Sequence, residues 1–180
     1  MDKQLKIRKV LLSDFISSGS VNGVIKEIFE INYDDDLKEN EYKDFERNPI
    51  ELYINSFGGS CYDGLALVDT IRNSKTPVHT YCFGSAMSMG LWIYLAGASR
   101  FAGKNCTFMY HEVSSFVWDK LEGLKQEVKE MQRLQDMYDA IIKENTNIMQ
   151  DKLDAIKERK AEWYIPTEDA LKLGICHEII

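Results

Sequence analysis

Apolar positions along the chain change period several times, and each change marks an element. Val24, Ile25, Ile28 and Phe29 share one face of a helix expected over Val21 to Ile31. The acidic run from Asn32 to Pro49 shows no such period and reads as a solvated connecting loop. It lacks the spaced acids and central Gly of a calcium-binding loop. Ile50 to Asn55 is a short apolar run with strand character, punctuated by Phe57-Gly58-Gly59. A helix is expected over Tyr62 to Asn73, with Leu65, Val68 and Ile71 on one side. Pro77 opens a second buried strand, Val78 to Phe83, and Gly84 and Ser85 turn the chain into a helix over Met87 to Ala96. Phe101 and Thr107 to Tyr110 mark two further short strands.

From Asp119 to Asn147 apolar residues recur at Leu121, Leu124, Val128, Met131, Leu134, Tyr138 and Ile141, which predicts a long amphipathic helix. Near the end, Thr167 suits an N-cap, Glu168 and Asp169 suit a first turn, and Gly174 stops that helix. Ile175 to Ile180 closes as a strand. Strands alternating with helices predict one α/β domain over residues 1–180, with a largely parallel sheet. In such folds ligands collect where strand ends meet helix starts.

Composition narrows the function classes. A length of 180 residues supports one domain with a real core, and 44% hydrophobic with 28% charged residues excludes extensive disorder. A net charge of -7 without a basic stripe argues against nucleic acid as partner, since a phosphate backbone rewards clustered Lys and Arg. The apolar stretch Val78 to Ala98 is broken by His79, Gly84, Ser85, Ser88 and Gly90, so it reads as a buried strand and helix, not a membrane span. The start, MDKQLKIRKVLLSDF, has neither the apolar run nor the cleavage site of a signal peptide. Cys61, Cys82, Cys106 and Cys176 form no C-x-x-C pair and no metal-like spacing with His, which fits free thiols in the reducing cytoplasm. No cluster implies a metal or an organic cofactor.

Two strand-to-helix junctions carry candidate chemistry: Asn55-Ser56-Phe57-Gly58-Gly59-Ser60 and Gly84-Ser85-Ala86-Met87-Ser88-Met89-Gly90. Glycines and helix starts expose backbone N–H groups that can cradle a developing oxyanion. His111 follows the strand Thr107 to Tyr110, at the carboxyl end where sites gather.

Taken together these segments resemble the ClpP family, the Clp protease proteolytic subunit. Leu52 to Ser60 is similar to its LYINSPGGS segment, and Gly84 to Gly90 to its G-x-A-A-S-M-G nucleophile motif. Met109-Tyr110-His111-Glu112 is similar to M-I-H-Q, and Thr167 to Ile175 to S-A-E-E-A-L-E-Y-G-L. The matches keep their order and span roughly residues 20 to 180. The resemblance implies a ClpP/crotonase-like α/β fold in which the long helix is a handle, and a serine endopeptidase acting on extended polypeptides. It further implies a homo-oligomer of stacked heptameric rings and an AAA+ unfoldase as partner. Position by position it places Ser88 as nucleophile and His111 as general base. Gly58, Gly59 and Met89 become the oxyanion-hole and substrate-binding backbone. The family's acid aligns with Glu162, a Glu where the family has Asp; Asp154 and Glu158 are alternatives if the preceding helix is shifted.

The chain also departs from the family pattern. Phe57 stands for a Pro, and Val113-Ser114-Ser115-Phe116 stands where the family has Pro and Gly-Gly. The segment Met1 to Lys9 is short for the axial loops that meet an ATPase. Three other readings compete: a catalytically impaired structural ring subunit, a viral capsid-maturation protease of the same fold, and a crotonase-type acyl-CoA enzyme. The last has no use for a Ser88/His111 pair.

Overall fold

The computed structural model describes residues 8–180, so most of the Met1 to Lys9 segment lies outside the described residues. The elements in chain order are β1 (Lys9–Leu12), α1 (Ser18–Glu41), β2 (Ile50–Ser56), α2 (Cys61–Arg72), β3 (Val78–Met87) and α3 (Met89–Leu95). They continue with β4 (Ser99–Ala102), β5 (Thr107–Tyr110), α4 (Leu121–Asn145), α5 (Gln150–Glu158), β6 (Trp163–Pro166), α6 (Thr167–Lys172) and β7 (Glu178–Ile179). The sheet runs β1-β2-β3-β4-β7 with parallel neighbours throughout. Off that path, β5 lies parallel to the end of β3 and antiparallel to β6.

In β2 burial sends Ile50, Leu52 and Ile54 into the core. Each such side chain contributes about 1.5–3 kcal/mol relative to exposure, so a one-residue slip of register would forfeit all three. β3 changes partner midway. His79 to Cys82 pair with Ser99 to Ala102 of β4, whereas Ser85 to Met87 pair with Thr107 to Met109 of β5. The β2–β3 register shifts between Ile54 and Ser56, and Asn55 Oδ1 accepts the Ser85 N–H at 3.1 Å there. The strand expected to stop at Phe83 therefore runs on to Met87, and α3 starts at Met89. A partner strand 20 residues downstream supplies the ladder that local sequence does not announce.

The acidic segment is a second correction. α1 is 24 residues long and includes most of the run read as a loop. Its buried positions Val21, Val24, Ile28, Ile31 and Asp35 keep helical spacing, with an aspartate at the last. Asp35 is buried because Arg8 pairs with it and Thr76 donates its hydroxyl to it at 2.7 Å. Arg47 spans Asp36 and Glu39, and Lys75 reaches Asp36 at 3.0 Å. Cations from distant segments thus neutralise the charge that argued against a helix.

At the other end, α4 falls inside the expected Asp119 to Asn147. Its carboxyl-terminal half packs Leu134, Tyr138, Ile141 and Ile142 into the core, while Leu121 and Val128 in its first half stay exposed. Thr167 is the first residue of α6, not its cap: its hydroxyl donates to the carbonyls of Gly103 and Cys106. The closing strand is only Glu178–Ile179. Among the described residues no helix is long and apolar enough to cross a membrane.

Candidate active site

β3 delivers Ser88 into a sharp turn, with φ 51° and ψ -124°. Positive φ at a non-glycine costs on the order of 1–3 kcal/mol and persists only where surroundings over-determine it. Here they do. Ser88 N–H donates to Met109 O at 2.9 Å, its carbonyl accepts Leu91 N–H at 2.9 Å, and Tyr138 Oη donates to the same carbonyl at 3.4 Å. Strand on one side and helix on the other push the hydroxyl away from both.

His111 directly follows β5, the strand beside β3 with Met87 opposite Met109. This parallel register brings the imidazole to the turn, and His111 Nε2 lies 2.8 Å from Ser88 Oγ. In the tautomer that accepts the serine proton, the ring proton sits on Nδ1. The other two histidines stand elsewhere. His79 packs against Phe101, and His177 Nδ1 accepts the Arg100 N–H at 3.2 Å; burial lowers both pKa values.

The Gly58-Gly59 junction abuts the turn. A Cβ on Gly58, which has φ 102°, would fall 2.7 Å from Ser88 Cβ and 3.2 Å from Met89 N. Gly59 has φ 148°, and a Cβ there would meet Ile16 O at 2.3 Å, where residue 16 bridges the loop. Gly58 N–H is bonded to Ser56 Oγ at 3.2 Å, so what Gly58 contributes here is close approach. Among the described residues Gly59 N–H has no protein acceptor, and Met89 N–H, at the first position of α3, has none either. Gly59 and Met89 line one cavity with Ser88. Its volume is about 60 Å³, and Cys61, Trp92, His111, Val113 and Tyr138 line it as well.

Glu162 is the residue the structure does not join to the pair. The β5–β6 register sets Tyr110 opposite Trp163, so Glu162 stands one step beyond the last rung, across from His111. Cross-strand neighbours at such positions lie within side-chain reach. Its exposed carboxylate, however, accepts a hydrogen bond from Tyr164 Oη at 2.5 Å. Among the described residues no carboxylate hydrogen-bonds His111. Asp154 accepts from Gln150 and Lys157, each at 2.9 Å, and Glu158 ends α5.

Other residues of the site were not singled out by sequence. Tyr138 is fully buried between Trp92 and Tyr110, with ring centroids 4.4 and 4.9 Å apart. Its place on the apolar stripe of α4 was the available signal. Gln135 and Asp139 had none, because polar residues on a long helix read as solvent-facing. Cys61 enters the cavity from the first turn of α2, and burial raises its thiol pKa.

A model of the Clp protease family matches residues 1–180. The ATP-dependent Clp protease proteolytic subunit of Deinococcus radiodurans is 30% identical over 178 residues, which is 98% of this chain and 81% of that protein. A mutant of ClpP1 from Listeria monocytogenes has the same fold, with a TM-score of 0.81 at 24% identity, over 99% of this chain and 94% of that one.

Proposed function

The chain belongs to the Clp protease family, a family of serine-type peptidases, and on that premise we propose that it cleaves extended polypeptides with Ser88 as nucleophile and His111 as base. The observation that carries this reading is the 2.8 Å contact between Ser88 Oγ and His111 Nε2 at the end of β3. A serine hydroxyl is a weak nucleophile until a neighbouring base takes its proton. As Ser88 Oγ attacks the scissile carbonyl carbon, Nε2 accepts the proton. Gly59 N–H and Met89 N–H receive the oxyanion, and each such donor is worth about 10²–10³ in turnover. His111 then returns the proton to the leaving amine. A water molecule repeats the sequence on the acyl-enzyme, with the same base and the same amides. Glu162, across from His111, is the carboxylate we assign to orient Nδ1–H once it leaves Tyr164.

The same reading makes the protein a subunit of stacked heptameric rings in the cytoplasm, fed by an AAA+ unfoldase. Supporting assembly are Phe116, Trp118, Leu121 and Val128, which project apolar surface from the approach to α4 and its first half. Exposed apolar residues grouped in this way mark contact surfaces.

A fluorophosphonate probe tests the chemistry. Wild type is labelled at Ser88, while Ser88→Ala and His111→Ala are not. Unlabelled wild type in an assembled particle would instead support an impaired structural subunit, a reading favoured by the Glu162–Tyr164 bond.

A further inference from the structure

Beside His111 lies a buried polar network whose side chains do not hydrogen-bond Ser88 and do not line the cavity, and which reaches the cavity lining only through the Val113 backbone. Gln135 on α4 accepts the Val113 N–H with Oε1 at 2.8 Å. Its Nε2 donates to Tyr110 Oη at 3.0 Å and to Asp139 Oδ1 at 2.7 Å. Tyr110 Oη in turn donates to Asp139 Oδ1 at 2.8 Å. Asp139 Oδ2 accepts from Gln150 Nε2 at 2.9 Å and from Lys157 Nζ at 2.5 Å on α5. One planar amide therefore holds the residue before His111 and the residue two after it.

Such a device is costly unless every member is satisfied, and here every member is. No buried side-chain nitrogen or oxygen among the described residues lacks a partner. Both Gln135 N–H groups and its carbonyl are engaged, and apart from Gln135 and Asp139 the buried residues of α4 are Leu134, Tyr138, Ile141 and Ile142. Apolar residues of similar volume would fill that space with less desolvation. A polar bracket adds direction, which packing alone does not supply. His111 has no side-chain partner other than Ser88 among the described residues, so the placement of Nε2 depends on how its backbone is held.

We propose that Gln135 is a positioning residue for the Ser88–His111 pair, acting through the Val113 amide and the Tyr110 hydroxyl with Asp139 as its anchor. This rests on the reading of Ser88 as nucleophile and His111 as base. A residue that only docked α4 on the sheet would change the amount of folded particle. A positioning residue changes the rate per folded site and spares substrate affinity.

The test compares wild type, Gln135→Leu and Tyr110→Phe as assembled particles of matched size and circular dichroism. The readouts are the rate constant for fluorophosphonate labelling of Ser88, together with kcat and KM for a fluorogenic peptide. Misplacement by a fraction of an ångström lowers labelling and kcat of Gln135→Leu about 10- to 100-fold, with KM within about twofold of wild type. Tyr110→Phe removes one hydrogen-bonding oxygen and lowers both rates about 3- to 10-fold. Wild-type rates in assembled Gln135→Leu would overturn the proposal, as would losses that track the folded fraction. If Gln135→Leu does not assemble, Tyr110→Phe decides, and wild-type rates there overturn it. Labelled wild type with insensitive variants rejects the bracket alone, whereas unlabelled wild type rejects the bracket and the serine mechanism together.

Discussion

Gly58 and Ser88 share a space that admits only one side chain. An ideal Cβ on residue 58 would lie 2.7 Å from the Cβ of Ser88, and φ 102° is a conformation that residues with a side chain rarely adopt. The Gly-Gly loop can press against the Ser88 turn only because Gly58 is bare. Gly58→Ala is expected to cost about 1–3 kcal/mol of stability from the strained φ and about 10²-fold in kcat from the displaced turn. Denaturant midpoints and peptide hydrolysis check the two losses separately.

Ser88 itself stores strain, with φ 51° at a non-glycine. Glycine relieves it at a smaller entropic cost. Ser88→Gly is expected to be more stable than Ser88→Ala by about 1 kcal/mol, and both are inert to the fluorophosphonate. Equal unfolding midpoints would show that the turn is unstrained.

Glu162 stands across from His111 but is bonded to Tyr164. If it orients the imidazole during turnover, Glu162→Gln lowers kcat by about 10²- to 10⁴-fold. Tyr164→Phe removes the competing donor and raises the labelling rate, by no more than about threefold because both side chains are exposed. A Glu162→Gln enzyme at the wild-type rate would leave His111 without a carboxylate partner in catalysis.

Asp139 ties the site to pH. It faces Tyr110 on β5, Gln135 on its own helix, and Gln150 and Lys157 on α5, with Asp154 beyond Lys157. Burial pushes its carboxyl up, but hydrogen bonds from Lys157, Gln150, Tyr110 and Gln135 outweigh that and hold it below the usual value. A depressed carboxylate contributes stability that is fully present above its unfolded pKa of about 4 and is lost as pH falls through the lowered value. Lys157 is opposite in sign. Burial lowers its pKa, but Asp139 and Asp154 raise it overall, so its contribution persists below its usual pKa and is lost only as pH rises through the raised one. Asp139→Asn is expected to lose about 1–3 kcal/mol at neutral pH and to show a shallower decline below pH 4. Denaturation at neutral and acidic pH measures both.

The exposed surface around α4 gives an assembly prediction. Leu121 and Val128 are 66% and 65% exposed, and Phe116 and Trp118 nearly fully so. If the subunits assemble as stacked rings, as proposed, charges introduced as Leu121→Glu with Val128→Glu are expected to split the assembly into smaller particles while each subunit stays folded. Light scattering shows this directly, and an unchanged mass would move the contact elsewhere.

Much of the fold was legible because burial obeys local periods. β2 alternates along Ile50, Leu52 and Ile54, and α4 keeps its stripe to Tyr138 and Ile141. What failed was polar. The continuation of α1 past Asn32 needed Arg8, Arg47, Lys75 and Thr76, none of them local to the helix. The extension of β3 to Met87 needed β5, and the Thr167 hydroxyl found carbonyls 61 and 64 residues earlier.

The order of residues already names the participants: paired glycines after one strand, a serine between small residues at the end of the next, and a histidine after a later one. Those identities are local, set by side-chain chemistry and by the φ that glycine alone tolerates cheaply. Only the folded chain determines distance. The 2.8 Å contact of Ser88 with His111 depends on β3 and β5 lying side by side in a particular register. The partner of Glu162 and the bracket formed by Gln135 depend on which donors packing brings nearby. Hydrogen bonds are short and directional, and one-dimensional periodicity contains no information about groups brought together from distant parts of the chain.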